Sequence, residues 1–184
     1  MSLQEEKENL NICDDEIMLI MPSARLKEDA IRYKEEHFAY GDMQVHGSGG
    51  LAYYEDFDAW LKHIDAIREP QTDTDIKTST FFSKRISDGK LIGCVKVHHT
   101  LNKELESGGH IAYGIRPSER RKGYATKQLR LALEFARNAG MHKVIVACDK
   151  ENIASAKTAI SCGGILSKEF EENGVMKQHY LFDL

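Results

Sequence analysis

The spacing of apolar residues predicts alternating strands and helices over most of the chain. Short continuous apolar runs such as 17–21 are typical of buried strands, whereas apolar residues three and four positions apart, as in 121–139, are typical of a helix that buries one face. Proline residues end two of these elements, at Pro22 and at Pro70. The pattern therefore indicates a folded chain that contains both kinds of element.

The predicted elements follow one another in the order β-α-α-β-β-β-α-β-α-β-β. The strands are predicted at 17–21, 78–86, 90–100, 110–116, 144–148, 165–170 and 175–182, and the helices at 23–40 with Ser23 as its cap, 56–67, 121–139 and 152–161. No linker divides this order, so we expect a single α/β domain over residues 17–184. Residues 1–16 carry six acidic side chains against one lysine, and we expect a flexible acidic arm there.

The composition fits a folded protein and excludes several classes. The chain has 184 residues, 41% hydrophobic and 29% charged, with a formal net charge of −4, which is too apolar for a wholly disordered chain. No apolar run approaches the roughly 20 residues that span a bilayer, and the slight acidity gives no reason to expect a nucleic-acid partner. The four cysteines are scattered without metal-ligand spacing, and the N-terminus lacks a signal-peptide pattern. We therefore expect reduced thiols, no metal and a cytoplasmic protein.

A basic turn that contains glycine joins the predicted strand 110–116 to the predicted helix 121–139. Residues 116–130 hold six lysine or arginine side chains against one acid, Glu119, in a chain of net negative charge. The first N–H groups of a helix have no partner within it and lie at the positive end of its dipole, and Gly123 lets a phosphate approach the backbone. This pattern predicts a site for a polyanionic small ligand such as a diphosphate; the alternative is a solvated basic helix face.

This turn resembles the acetyl-CoA-binding motif of the GNAT N-acetyltransferases, Q/R-x-x-G-x-G/A, which Arg120, Gly123 and Ala125 fill. The approach 115–117 is similar to the fourth strand of that family and its exit. A second family element is an asparagine that opens the next helix, followed by small residues and a closing glycine; its matches are Asn152, Ser155, Ala156 and Gly163. Together these motifs cover residues 110–170.

The resemblance implies a mixed, mostly antiparallel sheet of about six or seven strands with about four helices, split between strands 4 and 5 where the pantetheine arm enters. It also implies direct transfer of an acetyl group from acetyl-CoA to a primary amine of a small molecule or peptide. Homodimers are common in the family, although nothing in this sequence requires one. The residues expected to bind the co-substrate are Ile115, Arg116, Pro117, Arg120, Arg121, Lys122, Gly123, Tyr124, Ala125, Thr126, Asn152 and Ser155.

By the same resemblance, the catalytic groups are only partly specified. His110 matches a position near the start of the fourth strand where many relatives carry an acidic residue that acts as the base. An imidazole pKa of about 6.5 suits proton acceptance. The alternatives are that His110 is only hydrogen-bonded in place, or that Glu106 is the base. Many relatives carry a tyrosine acid where this chain has Ala159, and the nearby Tyr113 and Tyr124 are expected to pack structurally. The protein could therefore release the thiolate without a side-chain acid, or be a non-catalytic acyl-CoA-binding sensor.

The acceptor site is expected under the two N-terminal helices and their loop. The residues that cluster there are Tyr40, His46, 47–51, Tyr53, Tyr54 and Asp56. The aromatic rings and the acid could hold a cationic amine. Alternatively, the glycines could form a mobile loop and the aromatic residues could belong to the core. Residues 47–52 also match the GxGxxA dinucleotide fingerprint, an alternative that requires a strand before it and a strand that ends in an acid about 20 residues later, where residues 71–75 are instead a polar loop. No GxxxxGK[ST] phosphate loop is present.

Overall fold

The computed structural model describes residues 12–72 and 75–184 and confirms the predicted α/β fold class. Seven strands form one sheet in the order β1-β2-β3-β4-β5-β7-β6. Their bounds are Ile17–Ile20 (β1), Thr78–Arg85 (β2), Leu91–His98 (β3), Ile111–Ile115 (β4), Lys143–Asp149 (β5), Ile165–Glu172 (β6) and Val175–Asp183 (β7). The four α-helices are Lys27–Ala39 (α1), Phe57–Arg68 (α2), Tyr124–Asn138 (α3) and Ile153–Ser161 (α4).

The sheet separates two hydrophobic cores. On one face, α1 and α2 pack over a cluster that includes Trp60, Tyr33 and Phe82. On the other face, a larger cluster joins the sheet to α3 and α4, with Leu129 and Ala159 fully buried. Burial of these side chains is the main favourable term that fixes the helices on either side of the sheet.

The sheet is split between β4 and β5, as expected. All neighbouring strands are antiparallel except β4 and β5, which run parallel and share a single register pair, Ile111 with Val146. β3 and β4 pair over 111–115, with His98 N–H bonded to His110 C=O and Arg116 N–H bonded to Ile92 C=O. Because hydrogen-bonded pairs alternate along antiparallel strands, the N–H groups of Tyr113 and Ile115 face β5, beyond the last β4–β5 pair.

Three local expectations differ from the structure. The helix predicted at 121–139 begins only at Tyr124, because Arg121 (φ 63°) and Gly123 (φ 86°) take left-handed conformations that a helix cannot include. Ser23 makes no capping hydrogen bond; a short 3-10 turn, Ala24–Leu26, leads into α1 instead.

The predicted flexible arm also needs a correction where the structure describes it. Residues 12–16 fold back on β1: Leu19 N–H donates to Ile12 C=O, and Asp14 accepts hydrogen bonds from two backbone N–H groups at 2.7 and 2.8 Å. Ile12 is buried in the larger core. Residues 1–11, the rest of the predicted arm, lie outside the described residues.

Candidate active site

The turn between β4 and α3 presents a row of unused backbone donors. The N–H groups of residues 121–125 donate no hydrogen bond to any residue that the structure describes, whereas those of Thr126 and Lys127 donate to Gly123 C=O. A Cβ at Gly123 would meet nothing within 4 Å, so the space above this turn is open. Successive N–H groups around left-handed residues form a concave anion site, and the dipole of α3 adds to it.

Most of the cations counted in the sequence face carboxylates, and three of them face acids that are distant in the sequence. Four of the six face carboxylates: Arg116 with Glu36, Arg120 with Asp42, Lys122 with Glu119, and Lys127 with Asp14, Asp15 and Glu16. The positive field predicted from the local count is therefore much weaker than expected. The other two, Arg121 and Arg130, are exposed and face no carboxylate among the described residues.

Two of the predicted binding arginines hold the turn in place. Arg116 is buried and donates to Glu36 at 2.5 Å and to Leu91 C=O at 3.1 Å, which fixes α1 to the end of β4. Burial would raise the pKa of Glu36, but hydrogen bonds from Ser118 and Arg116 lower it to about 2. Arg120 donates to Ile115 C=O and to Asp42, and its guanidinium lies over the Tyr40 ring at 5.1 Å. Both guanidinium groups therefore contact the protein.

Glu119 is the charged centre of the turn. Its carboxylate is 96% buried and accepts hydrogen bonds from Lys90 at 2.7 Å, Arg85 at 2.8 Å and Lys122 at 3.0 Å. Burial alone would raise its pKa, but these three donors outweigh burial and lower the pKa to about 2. The carboxylate therefore stays ionised and ties the turn to the β2–β3 hairpin. Arg85 also reaches the hydroxyl of Tyr124, at the first position of α3.

Asn152 and Ser155, both predicted to bind the co-substrate, lie at the start of α4. Asn152 caps α4 by accepting from Ser155 N–H at 3.1 Å. The Ser155 hydroxyl lies 2.9 Å from the Tyr113 hydroxyl, so a β4 side chain reaches α4 directly. Burial raises the pKa of Tyr113 to about 12, and the phenol stays protonated at neutral pH. From the sequence Tyr113 is expected only to pack against the sheet, and its hydrogen bond to α4 becomes visible only in the fold.

His110 lies at the start of the split, where one nitrogen of its ring already accepts a hydrogen bond. Ile145 N–H donates to His110 Nδ1 at 3.0 Å. In the neutral ring this leaves the proton on Nε2, which is then a donor and not an acceptor. Burial lowers the pKa of His110, which favours that neutral form. The base role stays a prediction, and it requires the bond to Ile145 to break when the ring accepts a proton.

The loop between α1 and α2 lies directly on the sheet. A Cβ on Gly47 would stand 2.5 Å from Cys94 C=O and 2.8 Å from Ala112 C=O, so only glycine allows this close approach. Leu51–Tyr53 forms only a 3-10 turn, and residues 44–46 are not a strand, so the dinucleotide-fingerprint context is missing here. Asp56, a predicted acceptor contact, caps α2 by accepting from Asp58 and Ala59 N–H.

A pocket of about 150 Å³ opens between this loop and the sheet. Its lining residues are Gln44, Val45, His46, Gly47, Gly49, Gly50, Ala52, Tyr53, Lys96 and Ala112. Of the residues predicted for the acceptor site, His46, Tyr53 and several loop glycines do line it. Tyr54 instead stacks on His63, and Tyr40 lies over Arg120. The lining residues that were not predicted are Gln44, Val45, Ala52, Lys96 and Ala112, and Lys96 is the charged one among them.

The Acetyltransferase (GNAT) domain model matches residues 25–165, most of the chain. The chain belongs to the GNAT acetyltransferase family. GNAT acetyltransferases are acyl-CoA-dependent N-acyltransferases, so this protein is an enzyme of that class. No curated protein matches the sequence significantly.

Solved structures show the same GNAT fold at low sequence identity. The Microcin C7 self-immunity acetyltransferase, solved with acetyl-CoA and AMP, is 17% identical with a TM-score of 0.71, over 96% of this chain and 97% of that one. A ribosomal alpha-N-protein acetyltransferase with coenzyme A is 13% identical with a TM-score of 0.69, over 93% and 96%. A dodecameric spermidine N-acetyltransferase from Vibrio cholerae is 16% identical with a TM-score of 0.63, over 92% and 95%.

The described residues contain no membrane-spanning helix and no cluster of metal ligands. None of the helices is long and apolar enough to cross a membrane. No group of three or more histidine, cysteine, aspartate or glutamate side chains among residues 12–72 and 75–184 is arranged to hold a metal ion.

Proposed function

We propose that this GNAT protein transfers an acetyl group from acetyl-CoA to the primary amine of an acceptor. The main observation in support of this proposal is the row of free backbone N–H groups at 121–125, which lies after the end of β4 and beside the split. These donors match a diphosphate, and the split offers a path for an extended thioester arm. Two similar structures were solved with acetyl-CoA or coenzyme A, which supports the same ligand here.

The reaction needs an amine, a thioester and few protein groups. The amine nitrogen attacks the thioester carbonyl, a C–N bond forms, the C–S bond breaks, and the sulfur leaves with the bonding electrons. The nitrogen loses a proton, and the thiolate takes one up. The N–H groups of Tyr113 and Ile115 face the split and are the candidate donors to the oxyanion. His110 remains the predicted proton acceptor, and water is the alternative acceptor.

Isothermal titration calorimetry with acetyl-CoA tests this site through Gly123→Glu. The new carboxylate would project into the open space above the N–H row and repel the diphosphate, so we expect affinity to fall by at least about 100-fold. Gly140→Glu is the matched control, because Gly140 has φ 81°, a Cβ there meets nothing within 4 Å, and it lies at the other end of α3. Equal affinity in both variants would refute the site.

Release of coenzyme A with a panel of amines tests the transfer step. Turnover on any amine supports the transfer of an acetyl group to an amine, whereas acetyl-CoA binding with no turnover on any amine would contradict it. Four free cysteines among the described residues fit a reducing compartment, and we propose a cytoplasmic location. A homodimer stays a prediction.

A further inference from the structure

Lys96 places an unpaired cation in the pocket on the α1–α2 side of the sheet. It lies on the central strand β3, opposite Ala112 of β4 and Thr80 of β2. No carboxylate or other hydrogen-bond acceptor among the described residues reaches its ammonium group, and burial lowers the pKa of Lys96. The Thr80 hydroxyl, also buried, has no described partner either, so the neighbouring strand does not satisfy the cation.

The groups around Lys96 supply no negative charge. None of the residues that line the pocket is aspartate or glutamate. His98 lies two positions along the same strand; burial and the charge of Lys96 lower the pKa of His98 to about 4. By contrast, the cations near the β4–α3 turn face carboxylates, as with Arg116 and Glu36. A desolvated cation without a counter-ion is costly, and a ligand that supplies the negative charge removes that cost.

The pocket is also next to the place where acyl transfer is proposed. Ala112 belongs to its lining and stands between His110 and Tyr113 at the split. A small acceptor in this pocket would therefore have its amine close to the thioester path. The volume of about 150 Å³ is small, so we expect a small molecule as the occupant.

We propose that the acceptor is a small amine that also carries a carboxylate, as in a free amino acid, and that Lys96 binds this carboxylate. This inference rests on the proposed acetyl transfer and adds the acceptor class to it. A polyamine such as spermidine, the acceptor named for one similar structure, carries only positive charge and would be repelled by Lys96.

Matched sets of amines test the proposal directly. Each set contains an amino acid, its amide and its decarboxylated amine: alanine, alaninamide and ethylamine; leucine, leucinamide and isoamylamine; phenylalanine, phenylalaninamide and phenethylamine; spermidine is added as a polycation. We expect kcat/KM for at least one amino acid to exceed that of its amide and its decarboxylated amine by about tenfold or more. The amide has the less basic amine and is intrinsically easier to deprotonate, so a preference for the carboxylate reflects binding.

Lys96 variants connect that preference to the residue. Lys96→Met should reduce the amino acid to amide ratio to within about twofold while the KM for acetyl-CoA stays unchanged, and Lys96→Arg should keep much of the ratio. Lys143→Met, on the exposed start of β5, is the control. The melting temperature of Lys96→Met should not fall, because the variant removes an unpaired, partly buried charge.

The outcomes separate the acceptor class from acetyl transfer itself. Turnover confined to spermidine or to the amides and amines that lack a carboxylate, or an unchanged ratio in Lys96→Met, would overturn the acceptor class while leaving acetyl transfer intact. Loss of acetyl-CoA binding or of all turnover in the wild-type protein would instead count against the proposed function.

Discussion

Tyr113 offers a hydroxyl where α4 carries no acid. Ala159 of α4 is fully buried and has no proton to donate, whereas the Tyr113 phenol reaches α4 from β4 and stays protonated. A hydrogen bond from this phenol to the leaving sulfur would stabilise its developing charge. The position of Tyr113 on the strand beside the split makes it the side-chain donor that we would test first.

We expect Tyr113→Phe to lower kcat by about 10- to 100-fold, the effect of losing one hydrogen bond to a developing charge, with little change in the Kd for acetyl-CoA. Steady-state kinetics and calorimetry measure the two quantities. Tyr180→Phe is the control, because the Tyr180 hydroxyl bonds only to Gln178 on the same strand. A Tyr113→Phe enzyme with full kcat would show that the thiolate departs without this hydroxyl.

At the scale of single residues, the sequence shows which residue types lie at the site but not which residues their side chains contact. The cluster of cations at 116–130 was visible, but Arg116 meets an acid 80 positions away and Arg120 one 78 positions away. Lys96 was missed for the opposite reason, because a lysine in a strand is usually solvated and only the fold shows that it has no counter-ion. Contacts between residues distant in sequence decide both cases.

Among the elements, the β4–α3 turn depends most on one buried charge. Glu119 connects three cations from the β2–β3 hairpin and the turn itself. Without that carboxylate, three positive groups would face one another around a buried site. The free N–H row that follows would then lose its fixed position.

Glu119→Gln should destabilise the protein by about 3 kcal/mol at neutral pH, the usual cost of removing one partner from a buried ion pair. Urea unfolding measures this loss, and Glu134→Gln on the exposed side of α3 should stay within about 0.5 kcal/mol of wild type. Because the folded pKa of Glu119 is lowered to about 2, the gap between wild type and Glu119→Gln should shrink as pH falls from about 4.5 towards 2. A gap that is small at neutral pH would contradict the charged-centre role.

Element order and type were predictable because apolar periodicity is a local property. Every predicted strand and α-helix is present, and the bounds of most agree within about three residues. The start of α3 was misplaced because left-handed residues at 121 and 123 carry no apolar signal. The fold of residues 12–16 on β1 was missed because those acidic residues pair with Lys127, far along the chain.

For the whole molecule, the split in the sheet could be anticipated only through the family resemblance. Apolar patterning shows that strands 110–116 and 144–148 are buried, but the number of pairs that join them is a tertiary property. The structure joins them through one register pair, while α3 and α4 cover the opening from one side and the α1–α2 loop lies on the other.

This opening should make the backbone itself report on the ligand. The amide hydrogens of Tyr113, Ile115 and 121–125 lack strand or helix partners, so in the free protein they should exchange with deuterium faster than those of β2 and β3. Saturating acetyl-CoA should slow uptake in peptides covering 111–125 by about tenfold or more and leave 78–98 unchanged. If acetyl-CoA slowed deuterium uptake equally in 111–125 and in 78–98, the ligand would be stabilising the whole domain and not binding specifically to these N–H groups. Hydrogen exchange measured by mass spectrometry could therefore follow how much acetyl-CoA is bound, without a chromophore, through the backbone amides that have no partner in the sheet.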